Sequence, residues 1–381
     1  MSSRDTLVSH RGSEVTVHIV GNPAVSGAET IWRLAPEPVL SLGGSGVVEE
    51  LSLFEVAGAL RLTDGRIVVA DGGSRTLKVF DPAGEFVRAA GGPGEGPGEF
   101  RALNHLARLP GDSVVVFDFG LRRLTVFDAT FDLQRQVLIG ATARSPRAVV
   151  TGVFSDASML GRGFVQLGGR TPEGLERQSA IAYHLAPDGT LADTIGAFQG
   201  DELFFIPFDR GFSFFRPPFG RTSAFVVAGD RLHTADSEHA QVRILSPDGT
   251  PRMLVRWAHT ARRIDAQAAQ RALEQRLNES DARERPEIER MFRDLPMPVT
   301  MPAFSTIRVD DDLNLWVQAY LAPGDEGDAS WTIFDRDGRL VTRLDMPAGL
   351  DPTHIGTDFV LGVWRNELDV EHVRLYRLDK T

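Results

Sequence analysis

The sequence contains no cysteine. Disulfide staples, thiol nucleophiles and cysteine-ligated metals are therefore excluded. No run approaches the roughly 20 apolar residues that a membrane-spanning helix needs. The opening MSSRDTLVSH lacks the apolar core of a secretory leader. The chain is thus expected to be cytoplasmic unless a leader has been removed. Positive charge is not in excess: 41 Lys and Arg stand against 52 Asp and Glu, for a net charge of −11. This balance argues against phosphate-driven binding to nucleic acid. Familiar catalytic signatures are missing too. There is no Gly-x-Ser-x-Gly elbow, no His-Glu-x-x-His helix pair and no phosphate loop ending in Gly-Lys-Ser/Thr.

What remains is length and turn chemistry. A chain of 381 residues with 42% hydrophobic side chains can bury a large core without staples. Its 38 Gly and 22 Pro follow no collagen period and point to many turns. One phrase recurs. Ala59 to Gly84 reads ALRLTDGRIVVADGGSRTLKVFDPAG and is followed by EFVRAAGG. This is strand, turn, apolar strand, polar loop, alternating strand, turn and fourth strand. The unit starting near Leu106 repeats it at an offset of 47 residues, so that Asp71 matches Asp118 and Asp81 matches Asp128. Four short strands per unit at this period are the mark of a propeller blade. Degenerate copies follow through the rest of the chain. The last, DFVLGVWRNELDVEHVRLYRLDK, offers only three strands, while PVLSLGG at 38–44 has the shape of a fourth strand without its unit. The expected fold is therefore all-β: a six-bladed β-propeller of four-stranded antiparallel blades, closed by an N-terminal strand. A linear β-sandwich or two domains is the competing architecture. The expected organisation is an N-terminal extension over 1–30 and one propeller domain over 31–381, with a helical insertion at about 260–296.

Inside the repeat, residue types have structural assignments. Ile67, Val68 and Val69, like Val114, Val115 and Val116, form runs buried on both faces. Phe80, Phe127 and Phe334 each precede an Asp. The ring is expected between blades, and the carboxylate is expected to accept backbone N–H groups of the turn. Asp71, Asp118 and Asp236 are read as structural turn residues. Glu371 and Arg374 are read as solvated or as blade-to-blade ion pairs.

Four places depart from the repeat. IDAQAAQRALEQRL at 264–277 spaces Ala269, Leu273 and Leu277 as a helix stripe. Pro286 opens a second helix carrying Ile288, Met291, Phe292 and Leu295. LFFIPFDRGFSFFRPPFGRTSAF at 203–225 reads as an irregular connection, because Pro207, Pro217 and Pro218 oppose a regular internal strand. Its aromatics must plug a cavity or face a ligand. Phe208, Phe215 and Phe219, with Arg216 and Arg221, suit an organic anion or an acyl group, and contact with the helical insertion is expected. GGPGEGPGEFRALNH at 91–105 delivers Asn104 and His105 to an inner strand. His105 is the candidate acid or base, because imidazole titrates near neutrality; a hydrogen-bonded structural histidine is the other reading. Finally, Trp364 and Arg365, Tyr320 and Arg170 fall on polar loops expected at one mouth of the channel.

The phrase DGRIVVADGGSRTLKVFDPAGEFVRAAG resembles the repeat of the NHL-related six-bladed propellers, over roughly residue 31 to the C-terminus. WRLAPEPVLSLGG, GGPGEGPGEFR and GVWRNELDVEHVRLYRL are similar to an uncharacterised bacterial branch of that family. The resemblance implies an exported or periplasmic protein if a leader was removed. It also brings calcium-dependent lactonases and phosphotriesterases into view, whose Asp, Asn and Glu side chains converge on the channel. Here Glu55, Asn104 and His105 are the counterparts, while Ser223 and Ser305 at equivalent positions are weak ligands, so the oxygen set is incomplete. The sequence itself requires no cofactor. Three functions follow from these readings. The first is a ligand-binding or protein-interaction propeller, whose partner is a small organic ligand or a protein or peptide. The second is a hydrolase or lyase using His105, with Arg216, Arg221 or Arg365 stabilising an anion. The third is a purely structural protein.

Overall fold

The computed structural model of the chain describes residues 2–11, 13–22, 32–44, 51–140, 148–164, 171–325 and 327–380. Four strands precede the repeats: β1 (Ser2–His10), β2 (Ser13–Asn22), β3 (Arg33–Leu34) and β4 (Leu40–Gly43). Blade 1 is β5 (Val56–Arg61), β6 (Ile67–Asp71), β7 (Thr76–Phe80) and β8 (Phe86–Gly91). Blade 2 is β9 (Leu103–Arg108), β10 (Val114–Asp118), β11 (Arg123–Phe127) and β12 (Leu133–Leu138). Blade 3 is β13 (Val149–Val153), β14 (Met159–Phe164), β15 (Gly174–Leu185) and β16 (Leu191–Phe208), extended by β17 (Gly211–Phe215). Blade 4 is β18 (Ser223–Ala228), β19 (Arg231–Asp236), β20 (Gln241–Leu245) and β21 (Pro251–Trp257). Helices α1 (Ala266–Asn278) and α2 (Arg285–Asp294) come next. Blade 5 is β22 (Ile307–Val309), β23 (Leu315–Gln318), β24 (Ala329–Phe334) and β25 (Leu340–Met346). Blade 6 is β26 (Leu350–Ile355), β27 (Phe359–Arg365) and β28 (Glu371–Asp379).

Within every blade the strands pair in sequence order. The sixth takes its outer strand from the other side of the chain. β4 runs antiparallel to β28 with Ser41 opposite Arg374 and Leu42 opposite Val373. The Val39 N–H donates to the Leu375 carbonyl at 2.8 Å. The expected closing strand is therefore in place, and it covers what would be an exposed sheet edge. First strands touch in ring order, β5 with β9, β9 with β13, β13 with β18, β18 with β22, and β26 with β5.

The apolar runs explain the ring. Because side chains alternate along a strand, Ile67 and Val69 pack with blade 6 residues Leu361 and Val363, while Val68 and Ala70 pack with Val114 and Val116 of blade 2. Val115 and Phe117 then face blade 3 residues Val150 and Met159. One apolar cluster fills each of the six seams. Phe80, Phe127 and Phe334 lie in three of them, as expected. Their following aspartates close the turns. Asp81 Oδ1 accepts the N–H groups of Ala83 and Glu85, both at 2.9 Å. Asp128 and Asp335 repeat that arrangement. The left-handed turn position is filled by Gly84, Gly189, Gly249 and Gly338, where only glycine is unstrained; Phe131 takes it in blade 2 with φ 65°.

Strands β1 and β2 pair antiparallel, and β2 pairs in parallel with β21, from His18 opposite Met253 to Asn22 opposite Trp257. The buried Asn22 amide donates to the Gly338 carbonyl at 2.9 Å and accepts from Leu340 N–H at 2.8 Å. Arg11 pairs with Asp193 of blade 3. The hairpin therefore ties blades 3, 4 and 5 together from outside.

One expectation fails. The stretch 203–225 is not an irregular connection throughout. Leu203–Phe208 completes the 18-residue β16, which folds back through Asp209 and Arg210 into β17. Pro207 is tolerated because it lies beyond Phe205, the last residue paired with β15. Opposite Phe212, it sits where no ladder bond is lost. The helices do form as an αα-hairpin between blades 4 and 5. Asp265 caps α1 by accepting from Ala268 N–H, and Pro286 stands in the first turn of α2, where its missing N–H costs nothing.

Candidate functional site

Four antiparallel strands per blade put every blade-to-blade connection on one face, together with the loop between the second and third strands. The helices, the β16–β17 hairpin, the glycine-rich segment and the blade 6 loop all issue there. On the opposite face the strands are joined by short turns.

Repeated aspartates hold this face in shape. Asp118 accepts from Arg101, Ala102 and Leu121 N–H groups at 2.6, 3.2 and 2.8 Å. Asp71 accepts from Phe54 N–H at 2.9 Å and pairs with the buried Lys78 at 2.8 Å. Glu371 serves the same end in blade 6: it is buried, accepts from Val56 N–H at 2.8 Å and pairs with Arg365 at 2.5 Å. Asp236 keeps its expected turn role, its Oδ1 accepting the Glu238 N–H at 3.0 Å, and also binds Arg177 of blade 3 at 2.7 Å. Ser237 accepts the Thr222 N–H in that blade, at 2.8 Å. The glycine-rich segment is not free either. The Arg123 guanidinium donates to the carbonyls of Glu95, Gly96 and Glu99 at 2.6–3.0 Å.

The irregular elements meet in one place. After β17, Pro217 to Gly220 form a turn closed by Gly220 N–H on the Pro217 carbonyl at 3.1 Å. Phe219 holds φ at 60° in this turn, a left-handed geometry that strains a bulky residue by about 1 kcal/mol. Its ring is 1% exposed and packs on Ala268 and Ala272 of α1, which offsets the strain. Arg221 fixes the same junction by donating to the Thr300 carbonyl at 2.9 Å and its hydroxyl at 3.1 Å. The expected contact between the Phe-rich stretch and the helical insertion is thus present. Between them lies a groove of about 670 Å³. Phe215, Pro217 and Pro218 form one wall, Met291 and Phe292 another, and Leu321 a third. Arg216, Gln275 and Arg276 supply the polar rim. Arg216 shares a 2.7 Å pair with Asp201. Burial pushes the Tyr320 phenol up to about 12, against the opposing effect of the Phe219 N–H and nearby arginines. Tyr320 therefore stays protonated on the groove wall.

Of the residues expected from sequence, the groove unites Phe215, Arg216, Phe219 and Tyr320. Arg221 stands behind it as a structural donor. Phe208 sits at the hairpin tip, 60% exposed. Asn104 lines a separate pocket of about 440 Å³ with Glu55, beside Arg75 and Arg101. Two guanidinium groups in that pocket oppose a divalent cation, which wants oxygen donors, so calcium does not fit there. His105 stands opposite Phe117 within blade 2. Burial pushes its imidazole down to about 4, and Nε2 has no hydrogen-bond partner among the described residues. Trp364 and Arg365 are on blade 6; the indole donates to the Ala348 carbonyl at 3.0 Å and Arg374 lies over its ring at 3.3 Å. Arg170 falls outside the described residues. Sequence reasoning missed Gln275 and Arg276. They lie on the exposed side of α1, and nothing in the sequence says which way that side faces.

At the other end of the ring, Arg108 of blade 2 reaches Asp311 of blade 5 at 3.5 Å. Arg61 N–H donates to His354 Nδ1 at 2.9 Å, which leaves the ring proton on Nε2 to donate to Asp311 at 3.2 Å. Burial opposes ionisation of Asp311, but the His354 hydrogen bond and the charges of Arg108 and Lys380 hold its carboxyl below the ordinary value.

Comparisons agree with this architecture. The DUF5128 family, described as a 6-bladed beta-propeller, matches residues 49–138. A putative exported protein from Bacteroides fragilis is similar over 95% of this chain and 99% of its own, with a TM-score of 0.50 and 12% identity. A duf4221 family protein from Bacteroides vulgatus covers 92% of this chain and 99% of its own, with a TM-score of 0.51 and 9% identity. No curated protein matches the sequence. The chain is a six-bladed β-propeller. No described helix is long and apolar enough to cross a membrane.

Proposed function

We propose that this propeller is a recognition module that binds a hydrophobic organic ligand with an anionic group, in the groove between the β17 turn and the helical insertion. The observation that carries the reading is convergence: the Phe-rich stretch, the helical insertion and the loop after Tyr320 enclose one cavity of about 670 Å³. Its walls are aromatic and aliphatic, and Arg216 and Arg276 stand at its rim. Binding rather than catalysis is favoured because His105, its imidazole pushed down to about 4 by burial, is a weak base and lies in another blade. The test uses decanoate and decylamine as probes in thermal unfolding and calorimetry. Decanoate at about 100 times its Kd is expected to stabilise the fold by about 2.7 kcal/mol. Phe292→Ala combined with Arg276→Glu is expected to abolish that gain. Equal responses to both probes, or a response indifferent to these substitutions, refutes the reading.

A further inference from the structure

The seam between blades 3 and 4 is packed differently from its neighbours. In three other seams the incoming connection buries a large side chain: Leu53 between blades 6 and 1, Phe100 between 1 and 2, and Phe304 between 4 and 5. The connection from blade 3 to blade 4 buries its aromatic, Phe219, against α1 instead. None of its residues joins the apolar cluster of its own seam. Two cavities of about 460 and 440 Å³ open there. They share Ala197, Phe198 and Arg243 as lining residues, so they are two ends of one cleft.

The two ends differ in chemistry. One end runs beneath the N-terminal hairpin, where Val17 and Ile19 of β2 face Ile195, Leu245 and Met253. The Nε2 atom of His10, also in this lining, is buried and has no hydrogen-bond partner among the described residues. A desolvated ring nitrogen of this kind costs stability unless something bonds to it. The other end is polar, with Gln199, Thr234, Gln241 and the cluster of Asp236, Glu238 and His239. That cluster is not a metal site in waiting, because Arg177 already binds Asp236 at 2.7 Å and Glu238 at 3.1 Å. Arg177 and Arg243 together balance the two carboxylates, so neither an anionic nor a cationic headgroup gains net attraction.

We propose that this cleft binds a non-ionic amphiphile. The apolar tail lies under the hairpin, and a hydroxylated head bonds to the amides and hydroxyls at the open end. On the hairpin side of the cleft, an oxygen of the ligand meets the unpartnered His10 Nε2. The site is distinct from the groove of the proposed function and does not depend on it.

The test uses the full chain carrying Phe292→Ala and Arg276→Glu, which removes the anion groove, and 1-octanoylglycerol below its micelle concentration, with octanoate and octylamine as comparators, in titration calorimetry. The non-ionic probe is expected to bind at least tenfold more tightly than either ion. Ile19→Trp fills the apolar end and is expected to weaken it at least tenfold, whereas restoring Phe292 and Arg276 in the other groove leaves it unchanged. A diazirine-tailed octyl glucoside supplies a readout that requires no substitution: it is expected to label 6–19 and 195–198. Tighter binding of an ionic probe, indifference to Ile19→Trp, or labelling confined to the α1–α2 region would each overturn the proposal.

Discussion

Two histidines make stability depend on pH in a narrow and separable window. His233 is 1% exposed, and burial pushes its imidazole down to about 4, against a weaker opposing hydrogen bond to the Val226 backbone. His105 is pushed to about 4 by burial alone. In the unfolded chain both titrate near 6.5. As pH falls through 6.5 the unfolded state takes up protons that the folded state refuses, and stability declines until about pH 4. Between pH 7 and pH 5, each histidine costs about 2 kcal/mol, or about 4 kcal/mol for the pair. His259 and His372, lowered chiefly by partial burial, act in the same direction. The aspartates are silent in this window. Hydrogen bonds hold Asp128 and Asp188 below the ordinary 3.8, and such groups lose their stabilising effect only as pH drops below that ordinary value. The assay is urea unfolding at intervals from pH 7 to 5, for the parent and for His105→Gln/His233→Gln. The parent's free energy of unfolding is expected to fall by about 4 kcal/mol and the double variant's by less than half as much. Equal slopes in the two proteins would refute the reasoning, whatever their absolute stabilities.

Two further outcomes follow from the closing strand and the turn carboxylates. Leu42→Ala, at a buried position in the seam that closes the ring, is expected to cost about 2–5 kcal/mol in urea unfolding, while Val39→Ala, 62% exposed, changes little. Asp118→Ala strands three backbone N–H groups. A loss of about 2–4 kcal/mol is expected, with faster proteolysis within 92–102.

Six blades and their closure were readable because the repeat writes its own punctuation. An apolar run, a turn carboxylate and a left-handed glycine recur at fixed offsets, and a three-strand unit at one end complements an orphan strand at the other. The β2 strand shows why the rest was hidden. VTVHIV announces a strand but not its partner. The partner is set by Asn22 reaching Gly338 and Leu340, more than 300 positions away. Prolines misled in the β16–β17 hairpin, since Pro207 is disruptive only where a neighbour needs its N–H. In α1 the stripe of Ala269, Leu273 and Leu277 is only partly buried, while Ala268 and Ala272 face the Phe219 ring. A close approach selects small residues, which hydrophobic periodicity undervalues. The groove itself depended on two excursions issuing from consecutive seams. Their shared face was legible from strand counting, but the inward turn of Phe219 was not.

Strand parity also bears on how the protein can be handled. With four strands in the repeating unit of every blade, lengthening a blade-to-blade connection never alters the opposite side of the disc. Anchoring groups introduced at the Asp81, Asp188 or Asp335 turns would tether the ring by its quiet side. All of its variable surface would then point away from the support.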